Sequence, residues 1–307
     1  MSEGDRFSGI EAFVASAAAG SFTAAARTLG MTPSGVAKSV SRLEARVGLK
    51  LLHRTTRQIS LTAEGEAYLR VCRQAIGELD DVEAALAPDA GDPRGRVRIT
   101  MPAAFGRRHV LPSLFEQVKR YHRLDLCVSL TERTLDLVAE GQDLAVRIGE
   151  LDDDGDLIAR RLGTQRLVTC AAPAYLAHAA SIDRPADLEH HDCIVGPPRE
   201  SPSSWIFRTP TGDVARQVLH VRHQFNDGES MLAAALAGCG VIQMPSWLVG
   251  EHVQGERLIP VLPDFDGCEL PIHAVWPKTS LLPPRVRVVI DLLAHLASQR
   301  DSGFAPC

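Results

Sequence analysis

The stretch SFTAAARTLGMTPSGVAKSVSRLEARVGLKLLHRTTRQISLTAEG, residues 21–65, decides the architecture of the N-terminal part of this 307-residue chain. Ser21 is placed to cap a helix over Phe22–Leu29 that Gly30 ends. Thr32 can cap a second helix, with Pro33 at its first position, running to Gly48. Upstream, Ile10, Phe13, Val14 and Ala17 recur at helical spacing and predict an earlier helix closed by Gly20. On the longest helix Val36, Val40, Leu43 and Val47 share one face, and Ser34, Lys38, Ser41, Arg42 and Ala45 the other. Small side chains with long cations on an exposed face are what entry into a DNA major groove requires, because the backbone must come close while Arg and Lys reach bases or phosphates. Next, LLHRTTRQISL (51–61) pairs Leu51/His53 with Ile59/Leu61 around RTTRQ, which predicts a two-stranded wing carrying Arg54 and Arg57.

Charge supports a polyanion partner at this end alone. Residues 1–60 hold eight Lys/Arg against four Asp/Glu, whereas the chain as a whole carries a net charge of -5. The seven cysteines (72, 127, 170, 193, 239, 268 and 307) show no CxxC or Cys/His spacing, which fits reduced, buried thiols rather than metal ligands. Apolar runs stay short of the ~20 residues that span a bilayer, and MSEGDRFSG lacks the basic-then-apolar order of a secretory signal. A cytoplasmic protein without membrane contact is expected.

Residues 21–65 resemble the N-terminal domain of LysR-type transcriptional regulators. The resemblance implies Thr32, Pro33, Ser34 and Lys38 at the recognition helix and Arg54 and Arg57 in the wing; Arg42, from its place on the exposed face, is a candidate for reaching a base. The chain departs from the family pattern at Ala37, where Ser or Thr is usual, and at Gly35, where Ala is common.

From Thr62 a helix is expected to run to the region of Pro88, with Leu69, Cys72, Ile76, Leu79 and Leu86 close to a 3-4 repeat, Val82 off the seam and Glu83 on it. This reads either as an imperfect coiled coil or as a helix packed on its own domain. The family resemblance implies the first, a dimerisation helix over 62–90 that pairs with its twin and spaces two DNA-reading heads. DAGDPRGR (89–96) reads as the hinge after it.

In the remainder, short strands alternate with helical segments, which predicts βαβ units and a parallel sheet. VRIT (97–100) precedes a helix through Leu111, Leu114, Phe115 and Val118; LCVSL (126–130) precedes a helix over Thr134–Glu140; LAVRI (144–148) follows. A second set comprises RLVTCAA (166–172), DCIVG (192–196), DGESMLAAALAGCG (227–240) and VIQMP. IHAVW and a helix from Pro284 to Ala297 lack a sheet of their own and are expected to return to the first set.

The fold class expected is thus an all-α winged helix-turn-helix (1–61) with a long linker helix, then a two-lobed α/β body like a periplasmic binding protein. Its first lobe takes 97–165 and 268–300, its second 166–267. DLAVRIGELDDDGDLIARRLG and AALAGCGVIQMP resemble the effector domain of the same family. Strand ends followed by helix starts predict a cleft lined by Ala103, Ala104 and Phe105, by Thr131 and Glu132 at a second helix start, and by Asn226 and Asp227 at a third. Arg147, Gly196 and Pro197 follow strands beside them. Converging helix N-termini with Arg147 suit an organic acid anion, although Arg147 could equally pair within the protein and Asn226 could serve only as a helix cap.

No GxSxG, GxxxxGK[ST], HExxH or GxGxxG pattern occurs, and His190-His191, adjacent on an extended segment, would point to opposite sides rather than share a metal. No cofactor is expected. The function expected is sequence-specific regulation of transcription by a homodimer or homotetramer that binds double-stranded promoter DNA and a small effector, with RNA polymerase a candidate partner. The alternatives are a ligand-independent structural DNA binder, which leaves the acidic body unexplained, and an α/β enzyme fused to a DNA-binding head.

Overall fold

A computed structural model describes residues 4–54, 59–86, 93–151, 155–197, 201–209, 211–279, 281–299 and 303–304. The chain divides into two compact units, Met1–Ala87 and Pro88–Cys307.

In the first unit, α1 (Gly4–Ala19), α2 (Phe22–Leu29) and α3 (Pro33–Val47) precede a hairpin of β1 (Leu52–Arg54) and β2 (Ile59–Leu61), and α4 (Ala63–Leu86) follows. The expected caps are in place: Ser21 accepts the Ala24 N–H at 3.1 Å and Thr32 the Gly35 N–H at 3.1 Å. Ala12, Phe13, Ala25, Ala26, Val36, Val40 and Leu43 form the core under the three helices. The hairpin pairs Leu52 with Leu61 and Arg54 with Ile59, and the Ile59 N–H donates to the Gly20 carbonyl at 3.2 Å. One detail differs from expectation: Leu51 and Leu52 are both buried and His53 is exposed, because Leu51 lies ahead of the strand and turns into the core.

The linker helix corrects the proposed seam. Leu69 and Cys72 are buried, and Leu69 belongs to the core of its own head. At ~100° per residue Ile76 lies on their side of the helix, and it is half-buried. The exposed apolar stripe is instead Val71, Ala75, Leu79, Val82 and Leu86, with Leu79 47% and Leu86 76% exposed. Val82, expected off the 3-4 repeat, lies on this exposed stripe, since spacings of four, four, three and four keep one face.

The second unit begins with β3 (Gly95–Met101), a short α5 (Ala103–Phe105), a π-helical turn (Gly106–Val110) and α6 (Leu111–Arg120). It continues through β4 (Leu124–Leu130), β5 (Leu144–Ile148), β6 (Leu157–Ala171), α7 (Pro173–Leu176), β7 (Cys193–Val195), β8 (Ser204–Arg208), β9 (Val214–Val218), β10 (Val221–Gln224) and α8 (Gly228–Leu236). The last elements are β11 (Val241–Pro245), α9 (Ser246–Gln254), β12 (Ile259–Pro260), β13 (Glu269–Pro277) and α10 (Pro284–Ala297). Strands run in the order β10-β7-β11-β6-β13-β5-β3-β4, while β8 and β9 form a separate hairpin.

The sheet is mixed rather than parallel. β3 runs parallel to β4 and β5, but β13 is antiparallel to both β5 and β6, and β11 is antiparallel to β6. The two lobes share β6: its first part pairs with β13 through Arg166 and its last part with β11 from Leu167. A boundary at 165/166 therefore falls inside one strand. As expected, IHAVW and α10 return to the first lobe, where Ile272, Ala274, Val286, Val289, Ile290 and Leu293 complete the core of Val97, Ile99 and Leu144.

Two further expectations fail. Thr134–Glu140 is not a helix: Thr134–Asp136 is irregular and Leu137–Glu140 is a turn. Leu137 inserts against Ala145 and Val275, and Asp136 takes the Ala139 N–H, so the segment spends its residues burying one leucine. Phe115, read along with Leu114 on the apolar positions of this helix, is exposed, while Leu114 is buried.

Candidate functional site

The face of α3 opposite the core presents Thr32, Pro33, Ser34, Lys38 and Arg42, all exposed, at the start of the helix and one turn apart after it. The Ser41 hydroxyl is turned inward, donating to the Ala37 carbonyl at 2.8 Å, which leaves the cations as the long groups of that face. Arg54 ends β1, and Arg57 lies outside the described residues. Glu44, which no sequence pattern singled out, is 3% exposed on the same helix; its Oε1 accepts the N–H groups of Leu51 and Leu52 at 3.0 and 3.2 Å.

In the body, Ala103, Ala104 and Phe105 are buried just beyond β3. Glu132 is brought to them: its Oε1 accepts the Ala103 N–H at 2.9 Å. No helix starts at Thr131–Thr134; Thr131 donates its N–H to the Met101 carbonyl at 2.9 Å and accepts the Arg133 N–H on its hydroxyl. Asp227, not Asn226, caps α8, accepting the Glu229 and Ser230 N–H groups at 3.0 and 3.1 Å, and Asn226 is exposed. These bonds pull the Asp227 carboxyl below its ordinary range, the Ser230 hydroxyl contributing most. Arg147 donates to the Leu135 carbonyl at 2.7 Å and so ties the turns after β4 to β5. Gly196 and Pro197 follow β7, as expected.

The lobes meet at this place. Ala104 packs with the second-lobe core of Met231, Leu232, Met244 and Leu248, and a Cβ on Gly228 would lie 3.5 Å from the Ala104 Cβ. Arg108 grips Glu229 at 2.9 and 3.1 Å. Trp247 of α9 stacks edge-on against Phe105 and His109, with ring centroids 5.7 and 4.8 Å apart, and its Nε1–H donates to Gln165 Oε1 on β6 at 3.0 Å. Burial, with Arg108 beside it, pushes His109 below the ordinary imidazole range.

Two descriptions of known families divide the chain at a matching place. Residues 7–66 match "Bacterial regulatory helix-turn-helix protein, lysR family", and residues 90–298 match "LysR substrate binding domain". The chain belongs to the LysR family. Among LysR relatives, an HTH-type transcriptional repressor of Pseudomonas aeruginosa is 31% identical over 297 residues, covering 96% of this chain and 93% of that protein. The HTH-type transcriptional activator AaeR of Escherichia coli is 33% identical over 275 residues, covering 89% and 88%. The LysR-type regulator CrgA of Neisseria meningitidis aligns over 95% of this chain and 98% of its own, with 29% identity and a TM-score of 0.58. Full-length AphB, a Vibrio cholerae virulence activator, shares the fold at 22% identity and a TM-score of 0.58 over 96% and 99%. Like its relatives, this LysR-type chain is a DNA-binding transcriptional regulator with an effector domain, not an enzyme. Among the described residues no helix is long and apolar enough to cross a membrane.

One titration lies where the chain crosses back between the lobes. Burial pushes the Asp266 carboxyl up to about 6, although the Thr169 N–H donates to it at 3.2 Å and Arg166 opposes the shift. A raised carboxyl means that the folded protein holds the extra proton between about pH 4 and 6, so this group's contribution to stability falls as pH rises through that window. Asp266→Asn keeps the acceptor and removes the charge. It should stabilise the protein at pH 7 by about 1–2 kcal/mol, a figure reduced for the partial exposure of the carboxyl, with no gain at pH 4. Thermal melts at the two pH values check it; equal shifts at both would reject it.

Proposed function

We propose that the protein regulates promoters in the cytoplasm as a homodimer joined through α4, able to pair further into tetramers and to contact RNA polymerase. The α4 stripe of Val71, Ala75, Leu79, Val82 and Leu86 carries the dimer reading, since a 3-4 spaced apolar face left exposed on one chain fits a second copy. The DNA contacts are Thr32, Pro33, Ser34, Lys38 and Arg42 in the major groove, with Arg54 and Arg57 on the backbone.

The effector, on this proposal, sits between the lobes beside Ala103, Ala104, Phe105, Glu132, Gly196, Pro197, Asn226 and Asp227. The observation that supports the place is the meeting of Ala104 with Gly228 and of Arg108 with Glu229, contacts that a ligand between the lobes would tighten or part. The Ala103 amide and the first amides of α8 already hold the carboxylates of Glu132 and Asp227. A mainly apolar effector fits the alanine side chains there, with those amides already taken. An organic acid is the second reading, supported by Arg107, whose charge acts on the Asp227 carboxyl, and by Arg108, which grips Glu229. Thermal shifts with matched acid and amide pairs separate the two: stronger stabilisation by the amide supports the first, by the acid the second. A ligand at ~100 Kd adds about 2.7 kcal/mol; silence across a broad metabolite panel would reject an effector site altogether. With any ligand so found, Arg147→Ala should weaken binding by ~1.5–3 kcal/mol if Arg147 touches it. If Arg147 only ties the turns after β4, the melting temperature should fall first. Calorimetry on the variant distinguishes them.

A further inference from the structure

The inner face of α3 is apolar at Val36, Val40 and Leu43, yet Glu44 occupies the same face and its side chain is 2% exposed. A carboxylate buried there costs several kcal/mol unless hydrogen bonds and an opposite charge satisfy it. One short segment supplies three partners to Glu44. Oε1 takes the N–H groups of Leu51 and Leu52, and Oε2 pairs with Lys50 Nζ at 3.0 Å.

The same segment is held from its other side by the start of α4. The Thr62 hydroxyl donates to the Lys50 carbonyl at 2.7 Å and accepts the Gly65 N–H at 2.9 Å, while the Thr62 N–H donates to the Leu51 carbonyl at 3.1 Å. A Cβ on Gly65 would lie 2.0 Å from the Leu51 carbonyl oxygen, so α4 approaches as closely as backbone can. The amides of Leu51 and Leu52 therefore go to the recognition helix, and the carbonyls of Lys50 and Leu51 to the start of the linker helix.

We propose that Glu44 and Thr62 are positioning residues for DNA binding: from opposite sides they clamp the base of the wing, so that recognition helix, wing and linker helix present themselves to DNA as one rigid piece. Neither residue touches DNA. Their role is to set where the wing arginines fall relative to the face of Lys38 and Arg42, and to make any turn of α4 carry the reading helix with it.

The test uses the full chain and a random-sequence 30-bp duplex, because wing contacts to phosphate do not depend on sequence. Glu44→Ala should bind about tenfold more weakly at moderate salt, and its salt dependence should be shallower by roughly two phosphate contacts, those of the two wing arginines. Glu44→Gln, which keeps the Oε1 acceptor, should bind within twofold of the wild type. The decisive arm is a double-mutant comparison: Arg54→Ala/Arg57→Ala should weaken the wild type strongly but add less than twofold to Glu44→Ala, since a misplaced wing has no contact left to lose. Thr62→Val repeats the comparison from the α4 side and stands in should Glu44→Ala fail to fold. Wild-type affinity and salt slope in a folded Glu44→Ala or Thr62→Val protein, or arginine effects that add in full, would overturn the proposal.

Discussion

Leu79→Glu should halve the mass of the protein in solution and weaken operator binding at least a hundredfold, while the head still folds. Leu79 is exposed on the single chain, so the change costs the head little, and glutamate is a good helix former. In a dimer the position is used twice. Each buried leucine is worth about 1.5–3 kcal/mol, and the replacement would place two carboxylates together beside Glu78 and Glu83. Ile76→Glu is the control, because Ile76 lies on the side of Leu69 and Cys72: it should lower the melting temperature of the head before it touches association. Sedimentation with parallel circular-dichroism melts gives both readouts. An unchanged mass for Leu79→Glu would place the interface elsewhere.

Gly163→Ala should destabilise the body severely and spare the head. A Cβ there would lie 1.9 Å from the carbonyl oxygen of Phe304, which accepts the Thr164 N–H at 2.9 Å and whose ring is buried in the first-lobe core against Phe105. Either β6 shifts where the lobes share it, or Phe304 leaves. Losing a buried phenyl costs about 3–5 kcal/mol, and at ~2–4 °C per kcal/mol for a unit of this size the body should melt roughly 6–20 °C lower. Phe304→Ala should give a similar loss, and the double variant little more than either alone. Additive losses would mean that the tail and Gly163 are not in contact.

The head was legible in the sequence almost residue by residue because its signals are local. Ser21 and Thr32 cap helices through their own hydroxyls, Pro33 starts one, and the apolar spacing of Val36, Val40 and Leu43 needs no distant partner to be read. Where a distant partner decides, the reading failed. Leu69 and Leu79 look alike in a 3-4 pattern, and only the core of the head separates them. Thr134–Glu140 has the composition of a helix, but Leu137 is claimed by β5 and β13. The strand RLVTCAA is the end of a longer one whose first half looks polar, with Arg160, Arg161, Thr164 and Gln165 along it, so the sharing of β6 by two lobes was hidden. Candidate effector residues are picked out by their place after strands, and Ala103–Phe105, Gly196 and Asp227 do follow β3, β7 and β10. What it could not show is that the protein already caps its own helix starts, with Glu132 twenty-nine residues from Ala103.

On the proposed function, a basic helix-turn-helix reads promoter sequence as a pair. Selection of duplexes from a random library by the full chain tests it most directly. The expected result is enrichment of one motif with two half-sites related by a dyad, centred a whole number of helical turns apart, and lost from the pool when Lys38→Ala/Arg42→Ala is used instead. A pool with no enriched motif, or a single half-site bound equally well by Leu79→Glu, would contradict it.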